Sequence, residues 1–455
     1  MCPVFGMKSL KEPKEVVEGL KKKGIKYVRT LYIDLDSIIR GRVSPIEAFE
    51  EDVKHGLTLA EVMQSAFTLT DVLVPTSIYD PVGEVRLFPD INTVRITIWA
   101  PGHAMAIGEQ YRADGRPFEV DPRPKLKEIL SKTKYNILVG YEPEFYLFKR
   151  VGEKLETFDK HLCFATTGMN AFAEFLSKLE EALNAMGIEI AHYYPEYGPS
   201  QHEISLKPYD PLTASDALIM TREAVRGIAQ SMNLVASFMP KPSETLPGSG
   251  LHIHISLWRD GVNIFYSDTD KYYLSDEAYW FVGGVLKHID ALLAFTAPTV
   301  NSYKRLLPRR WASAYACWGP ENREAAIRVP LPPKGKEAEA LNLEIKFADN
   351  TLQPYLAIGS IIAAGLKGIE QKIEPTEPCL VDPAVLSDEE REKRGWRRYP
   401  ENLLDSLRAL QRDSFFREVW GDTLVNEYVK LKMHQWYSYH NHVSDWEREK
   451  LLEIF

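Results

Sequence analysis

The stretch Leu251–Trp258, LHIHISLW, alternates apolar and polar residues along its whole length. Side chains of a β-strand point alternately to the two faces of a sheet. The leucine and isoleucine residues therefore share one face, whereas His252, His254 and Ser256 share the other. The pattern predicts a strand that buries an apolar face and presents ionisable groups on the opposite face.

Three further segments carry ionisable residues on one face of a predicted strand. They are Tyr141–Phe148 with Glu142 and Glu144, Tyr194–Leu206 with Glu196 and Glu203, and Leu343–Phe347 with Glu344 and Lys346. One alternative is an antiparallel sheet with an ordinary solvated face. Clustered carboxylates and imidazoles with few basic residues between them favour bound cations instead, because a cation offsets the repulsion between carboxylates. Oxygen ligands with a single imidazole favour Mg²⁺ or Mn²⁺ over zinc.

A cluster of arginines lies between Asn301 and Pro330. It consists of Arg305, Arg309, Arg310, Arg323 and Arg328. Arginines beside an oxygen-ligand metal site are suited to phosphoryl transfer, because they neutralise charge on the transferring group. The alternative is an RNA-contacting or merely solvated basic loop. If ATP binds, neither common phosphate loop holds it, because GLKKKGIK lacks the Gly-Lys-Ser/Thr ending and GSGLHI lacks the third glycine of a dinucleotide fingerprint.

Composition narrows the class of protein. The 455 residues carry a formal charge of −9, with 45% hydrophobic and 26% charged residues, which is typical of a folded chain. Net acidity, with no basic run longer than Lys21–Lys23, argues against nucleic acid or an anionic membrane as partner. The four cysteines are far apart, the N-terminus lacks a signal-peptide core, and the longest apolar run, Leu356–Ile369, predicts a buried helix. We therefore expect a cytoplasmic protein.

The stretch Arg112–Pro124 is rich in Pro, Gly and Asp and predicts a domain boundary. We expect a small N-terminal α+β domain at 1–112 and a large C-terminal domain at 113–455. A short amphipathic helix is expected at Glu15–Lys23, and two or three more in the tail, Glu401–Phe455.

The order of the motifs resembles that of the glutamine synthetase superfamily. The stretches that carry the resemblance are EPEFYLF, EYGPSQHEI, GSGLHIHISLW, NSYKRL, NREAAIRVP and EIKFADNTLQPYLAIGSIIAAGLKGI, in this order along the chain. DLDSIIRGR and the tail VSDWEREKLLEIF resemble the class I form, so the resemblance covers nearly the whole chain. It implies an α+β fold with an N-terminal β-grasp domain and a catalytic domain whose curved antiparallel sheet, surrounded by helices, forms a funnel. It also implies a homo-oligomeric ring, a hexamer or a homododecamer, with each active site at a subunit interface.

The resemblance also implies roles for individual residues. Carried over by position, they are Glu144, Glu196 and Glu203 for a first metal ion; Glu142, His252 and Glu344 for a second; His254 and Ser256 near ATP; Gly248 near the amino-acid substrate, with Arg305 on its α-carboxylate; and Arg323 and Arg328 on the phosphates. Two or three Mg²⁺ or Mn²⁺ ions are expected per site. The implied reaction phosphorylates a side-chain carboxylate with ATP, and an amine then displaces phosphate from the acyl phosphate.

The sequence departs from the family pattern where the amine binds. Glutamine synthetases of this class carry NSYKRLVPGYEAP, whose glutamate shapes the ammonium pocket, but Trp311 stands at that position here. The family's FDGSS segment is also missing after Gly56, where the chain reads GLTLAEVMQSAF. An indole offers an apolar wall and a cation–π face worth about 0.5–2 kcal/mol to an alkylammonium ion. The stretch WASAYACWGPENRE is similar to nodulin- and FluG-like synthetases and to γ-glutamylpolyamine synthetases.

Lys346 replaces an arginine that is usual in the family, so that glutamate recognition loses a bidentate fork. We nevertheless expect an ATP-dependent ligase that joins the γ-carboxylate of glutamate to an amine larger than ammonia, such as an organic amine or a polyamine. The first alternative is an authentic glutamine synthetase that uses ammonia in a rearranged pocket. The second is a non-catalytic ring with a structural or regulatory role, against which the six intact ligand positions argue.

Overall fold

The structure, a computed structural model, describes residues 12–67 and 69–455. Most of the N-terminal stretch in which we found no signal-peptide pattern, including Cys2, lies outside the described residues. Among the described residues, no single helix is long and apolar enough to cross a membrane; the helices Asp276–Lys287 and Ile289–Thr296 reach that length and composition only as a pair, bent by 76°.

Two sheets organise the described part of the chain. Their strands are β1 Tyr27–Ile33, β2 Ile39–Pro45, β3 Leu57–Ala60, β4 Glu84–Pro89, β5 Arg95–Ile96, β6 His103–Tyr111, β7 Asn136–Val151, β8 Lys154–Thr157, β9 Ile190–Pro195, β10 Gln201–Leu206, β11 Leu234–Ser237, β12 Leu251–Arg259, β13 Val262–Asn263, β14 Tyr315–Pro320, β15 Ala325–Val329 and β16 Leu343–Ile345. The first sheet has the order β2-β1-β6-β4-β3, with β5 beside β6. The second, a curled and mostly antiparallel sheet, has the order β14-β15-β16-β12-β7-β10-β9, with β8 and β11 on β7 and β13 on β12.

Helices connect and cover the sheets. They are α1 Pro13–Lys22, α2 Phe49–His55, α3 Val62–Ser65, α4 Pro122–Ser131, α5 Thr166–Ala185, α6 Pro211–Ser231, α7 Asp276–Lys287, α8 Ile289–Thr296, α9 Glu337–Ala340, α10 Pro354–Gln371, α11 Asp388–Lys393, α12 Leu403–Arg412, α13 Ser414–Trp420, α14 Asp422–His440 and α15 Asp445–Leu451. Helix α5 contacts β9, and α6 contacts β7 and β11, so these helices cover the apolar face of the second sheet. The mixed architecture confirms the α+β fold class.

The central strand β12 has the two faces that its sequence predicts. Leu251, Ile253, Ile255 and Leu257 are fully buried, and the alternate positions His252 and His254 are only partly buried. Burying the apolar side chains against the helices stabilises the fold by about 1.5–3 kcal/mol for each large residue. The same packing leaves the ionisable face directed away from the helices.

Several predicted elements are present, and one prediction is wrong. The apolar run Leu356–Ile369 forms a buried helix as expected, since it lies within α10, Pro354–Gln371, which is buried along most of its length. The tail contains four helices, α12 to α15, instead of two or three. Asp413 ends α12 and caps α13 by accepting a hydrogen bond from the Phe415 amide, and Gly421, at a φ of 86°, separates α13 from α14. The position of the domain boundary at 112/113 stays a prediction.

The turn after β1 ties the first sheet to the C-terminal helices. Asp36 is buried in this turn and forms an ion pair with Lys432 of α14, which is also buried. The neighbouring Ser37 hydroxyl donates to the Leu352 carbonyl at 2.5 Å and accepts from Arg222 at 3.2 Å. Residues far apart in the sequence therefore fix the first sheet against α6, α14 and the segment after β16.

Candidate active site

The ionisable face of the second sheet brings carboxylates into close register. Glu142 of β7 lies opposite His252 of β12, and Glu144 lies opposite Glu203 of β10. Like charges directly opposite each other destabilise a sheet. The Glu144–Glu203 pair therefore indicates a site that a cation completes.

The residues predicted for the first metal ion lie in this region. Glu144 and Glu203 form a group with His252, which was predicted for the second ion: one atom from each of the three lies within 4.8 Å of the others. Glu196 directly follows β9 and lies near Glu144. The burial of Glu144 and the negative charge of Glu196 raise the pKa of Glu144 to about 7. Burial and the neighbouring carboxylates also raise the pKa of Glu203 well above its usual value. Both carboxylate oxygens of Glu203 are buried, and a contact with Tyr194 only partly offsets the rise in its pKa, so the donor set fits a divalent cation.

The residues predicted for the second ion form another group, which shares His252 with the first. One atom each from Glu142, His252 and Glu344 lies within 4.8 Å of the others, and His252 Nδ1 is 3.4 Å from Glu344 Oε1. Glu344 also forms an ion pair with Arg328, and its Oε1 is 3.5 Å from Lys346 Nζ. Burial alone would raise the pKa of Glu344, but the positive charges around it lower the pKa to about 2.

The two histidines of β12 differ in charge. Although burial opposes it, the charge of Glu142, whose Oε2 is 3.2 Å from His254 Nε2, raises the pKa of His254 to about 9. His254 Nδ1 lies 2.8 Å from Asn342 Oδ1. Burial and the charge of Lys346 lower the pKa of His252 to about 4, so His252 is neutral at pH 7. Neutral imidazole is the form that binds a metal ion.

Arg305 and the glycines before β12 form a compact unit. A Cβ atom on Gly250 would lie 2.4 Å from Arg305 Nη2, and one on Gly248 would lie 2.7 Å from its Cγ. Arg305 is buried and donates to the Ala348 carbonyl at 3.1 Å. The Gly250 amide donates to Glu144 Oε2 at 2.9 Å. The structure therefore brings the predicted substrate residues Gly248 and Arg305 to the edge of the first carboxylate cluster.

Gln201 is a site residue that the sequence reasoning missed. Its Nε2 donates to Glu144 Oε2 at 2.9 Å and to the Gly248 carbonyl at 2.8 Å, and its Oε1 accepts from the Gly198 amide at 2.9 Å. One amide side chain thus holds a predicted metal ligand and the glycine turn together. Its position at the start of the strand in EYGPSQHEI was the only sequence signal.

Arg323 and Ser256, which are both predicted to lie near the nucleotide, interact with other groups of the chain. Burial raises the pKa of Glu196, and the positive charge of Arg323 nearby partly opposes that rise. Ser256 is buried, and its hydroxyl accepts a hydrogen bond from the Trp258 indole at 2.9 Å. The roles of both residues toward ATP stay predictions.

Trp311 lies on an exposed loop outside these clusters. Its side chain is 64% exposed, and its backbone amide donates to Glu324 Oε1 at 2.8 Å. Arg309, Trp311 and Ser313 all have positive φ angles, between 57° and 62°, which non-glycine residues adopt rarely. Glu324, buried and missed by the sequence reasoning, therefore helps to fix an unusual loop.

The two sheets and the carboxylate-lined face agree with the fold and the site that the motifs imply. The sequence model for the glutamine synthetase N-terminal domain matches residues 12–121, and that for the glutamine synthetase catalytic domain matches residues 119–451. The chain belongs to the glutamine synthetase family, whose members are ATP-dependent ligases.

Relatives match over nearly their full length. The glutamine synthetase of Methanosarcina mazei is 33% identical, over 98% of this chain and 99% of its own. The glutamine synthetase of Pyrococcus horikoshii is 34% identical, over 96% and 99%. A solved structure of GmaS, a γ-glutamylmethylamide synthetase, in complex with ADP has a TM-score of 0.84 at 27% identity, over 96% of this chain and 99% of that one.

Proposed function

We propose that this ligase forms a γ-glutamyl amide from glutamate and an organic amine or polyamine, through an acyl phosphate. The observation that carries the proposal is a combination of two features. All six predicted metal positions carry a residue of the required type, and five of them converge in two groups of potential ligand atoms, whereas the position expected to hold the ammonium-site glutamate carries Trp311. The likeness to GmaS, whose name denotes a methylamide product, supports an amine larger than ammonia.

Divalent ions, when bound, supply positive charge for the nucleotide phosphates. The first ion is assigned to Glu144, Glu196 and Glu203, and the second to Glu142, His252 and Glu344. Neutral His252 keeps a lone pair at neutral pH, whereas His254, already charged and hydrogen-bonded to Asn342, is suited to an anionic phosphate rather than to a metal ion.

Basic residues provide the remaining contacts. Arg305 is placed on the α-carboxylate of glutamate, because its buried guanidinium is held against Gly248 and Gly250. Arg323 and Arg328 are placed on the phosphates. Arg328 must first leave its ion pair with Glu344, which is also a proposed ligand. A metal ion at Glu344 would compete with Arg328 and release it toward the phosphates.

The proposal includes a cytoplasmic homo-oligomeric ring, a hexamer or dodecamer, in which a neighbouring subunit completes each active site. Family members typically form oligomers. The C-terminal segment supports the idea, because Trp446, Leu452 and Phe455 are 62%, 72% and 99% exposed in the single chain. Apolar groups exposed together are typical of interfaces. Light scattering on the purified protein tests it, and a monomeric protein would contradict it.

The amine preference is tested by phosphate release with ATP, Mg²⁺, glutamate and a panel of amines. Trp311→Glu is expected to lower kcat/KM for the best organic amine relative to ammonia by about 2- to 30-fold, which corresponds to loss of a cation–π contact. Val262→Glu is the matched control, because Val262 is as exposed as Trp311, at 65%. If ammonia matches the best organic amine with the wild-type protein, the proposal fails and an authentic glutamine synthetase is indicated.

That second candidate has support of its own, because the curated relatives in Methanosarcina mazei and Pyrococcus horikoshii are both glutamine synthetases. The non-catalytic alternative is separated from both by thermal unfolding. A working site stabilises the native state by mass action when Mn²⁺ and ATP bind. A melting temperature that neither ligand changes would favour a structural or regulatory role.

A further inference from the structure

A third group of potential metal-ligand residues lies behind the sheet, on the face opposite to the carboxylates. His202 is adjacent to Glu203 on β10, and successive side chains of a strand point to opposite faces. The His202 ring therefore points toward α5, where it stacks on Phe172 at a centroid distance of 3.9 Å. Asp159 and His161 reach the same place from the segment between β8 and α5.

These three residues converge on one point. One ligand atom each from Asp159, His161 and His202 lies within 4.8 Å of the others. His202 is fully buried and His161 is 5% exposed. Asp159 Oδ2 and His202 Nε2 are buried with no partner in hydrogen-bonding geometry. Leaving buried polar atoms unpaired costs about 1–3 kcal/mol each, so two of them in one cluster need an explanation.

The hydrogen bonds around the cluster determine which ring nitrogen is free. His161 Nε2 lies 3.2 Å from the Glu196 carbonyl oxygen. A carbonyl can only accept, so Nε2 carries a proton, and Nδ1 is left for a second proton or for a metal ion. Nδ1 faces Asp159 Oδ1, an acceptor, at 2.7 Å. Two acceptors at this distance repel each other unless a proton or a metal ion lies between them.

His202 supplies the third donor atom. Its Nδ1 is 3.3 Å from the Tyr193 hydroxyl, which leaves Nε2 for another partner. On the other side of the cluster, Asp159 Oδ1 accepts from the Ser200 amide at 2.9 Å, which fixes the carboxylate and leaves Oδ2 free. Hydrogen bonds of this kind orient metal ligands in known sites.

An ordinary histidine–aspartate pair elsewhere in the chain shows the difference. His288 Nδ1 lies 2.6 Å from Asp413 Oδ2, and its ring stacks on Phe415 at 4.6 Å. A shared proton explains that pair completely, because no second imidazole joins it in the groups of potential metal ligands among the described residues. In the cluster behind the sheet, a shared proton would still leave His202 Nε2 and Asp159 Oδ2 unpaired.

We propose that Asp159, His161 and His202 bind one divalent transition-metal ion, of the Zn²⁺ or Co²⁺ type, at a site separate from the carboxylate clusters. Two imidazoles and one carboxylate favour such ions over Mg²⁺. The ion would hold the ring of His161, and through it the carbonyl of Glu196, so that it supports the loop that carries a proposed active-site ligand. The site does not depend on which amine the ligase uses.

The test is a Co²⁺ titration of the full-length protein in excess Mg²⁺, followed by visible absorption and by the amount of bound cobalt. The wild-type protein is expected to bind one more Co²⁺ per chain than His161→Gln, with an absorption band that the variant lacks. His288→Gln is the matched control, because it removes a buried imidazole from a similar environment, and it should bind as much Co²⁺ as the wild type. Asp159→Asn should lose the same ion.

Folding of the variants is checked by circular dichroism and by the melting temperature in Mg²⁺. If His161→Gln does not fold, Asp159→Asn, which keeps the side-chain shape, provides the comparison. Equal Co²⁺ binding by the wild-type protein and a folded ligand variant would overturn the proposal, and so would loss of the same ion in His288→Gln. Failure of the ligase to accept organic amines would leave this result unaffected, so the two proposals are tested independently.

Discussion

Glu144→Gln is expected to stabilise the metal-free protein at pH 8, although Glu144 is a proposed metal ligand. Burial and the charge of Glu196 raise the pKa of Glu144 from 4.5 to about 7. At about 1.4 kcal/mol per pKa unit, the ionised carboxylate costs the folded state roughly 3 kcal/mol. Glutamine is uncharged and of the same shape, and its Oε1 can accept the hydrogen bonds that now come from the Gly250 amide and from Gln201 Nε2, each at 2.9 Å.

The pH dependence follows from the two pKa values of Glu144. The unfolded carboxyl ionises near 4.5 and the folded one near 7, so the folded state holds the proton more tightly. This contribution to stability is complete below pH 4.5 and is lost as the pH rises through 7. Glu144→Gln has no carboxyl at this position and does not lose stability in this pH range. Its free energy of unfolding should therefore equal that of the wild type at pH 4 and exceed it by about 3 kcal/mol at pH 8.

Urea denaturation at one protein concentration, in EDTA and then in Mn²⁺, measures both effects. Mn²⁺ should reverse the order, because only the wild type keeps the complete ligand set and gains stability by mass action. Glu180→Gln, at an exposed position of α5, is the control and should change little in either condition. If Glu144→Gln in EDTA at pH 8 is less stable than the wild type, repulsion among the carboxylates is not the dominant effect.

Three further predictions concern other charged groups. Asp36→Asn leaves the buried Lys432 without its partner and should lower the free energy of unfolding by about 3–5 kcal/mol; adding Lys432→Met should restore much of the loss, as measured by urea denaturation. Arg328→Met removes the ion pair of Glu344 and should tighten Mn²⁺ binding in calorimetry while lowering turnover; unchanged Mn²⁺ affinity would show that Arg328 does not compete with the ion. His254 has a pKa raised from 6.5 to about 9, so its stabilisation is complete below pH 6.5 and lost as the pH rises through 9; His254→Gln in EDTA should flatten that part of the stability profile, and an unchanged slope would contradict the assignment.

The sequence predicted the ionisable face well because alternation along a strand is a local property. Positions two apart on β12, such as His252 and His254, share a face whatever the strand pairs with. The sequence by itself did not give the register. Glu144 lies opposite Glu203 because β7 and β10 pair antiparallel at that point, and nothing within either segment fixes that alignment.

Contacts between distant segments account for what the sequence did not predict. The loop around Trp311 depends on Glu324, thirteen positions along the chain, and on three residues with positive φ that no turn motif signals. The pairing of Arg328 with Glu344 arises from the register of β15 against β16. The prediction of two or three amphipathic helices in the tail failed for a more local reason, because the capping residue Asp413 and Gly421 divide the amphipathic pattern into shorter helices.

The two metal clusters differ in how the fold compensates their negative charge. Around Glu344 the positive groups belong to the chain itself, since Arg328 and Lys346 contact the carboxylate and hold its pKa near 2. Around Glu203 burial and neighbouring carboxylates outweigh the available donors, and the pKa is raised. A cluster that is costly without an external cation is hard to explain by stability, and functional sites are where folds tolerate such costs. The poorly compensated carboxylate of Glu203 therefore supports a bound ion more strongly than the carboxylate of Glu344, which residues of the chain already compensate.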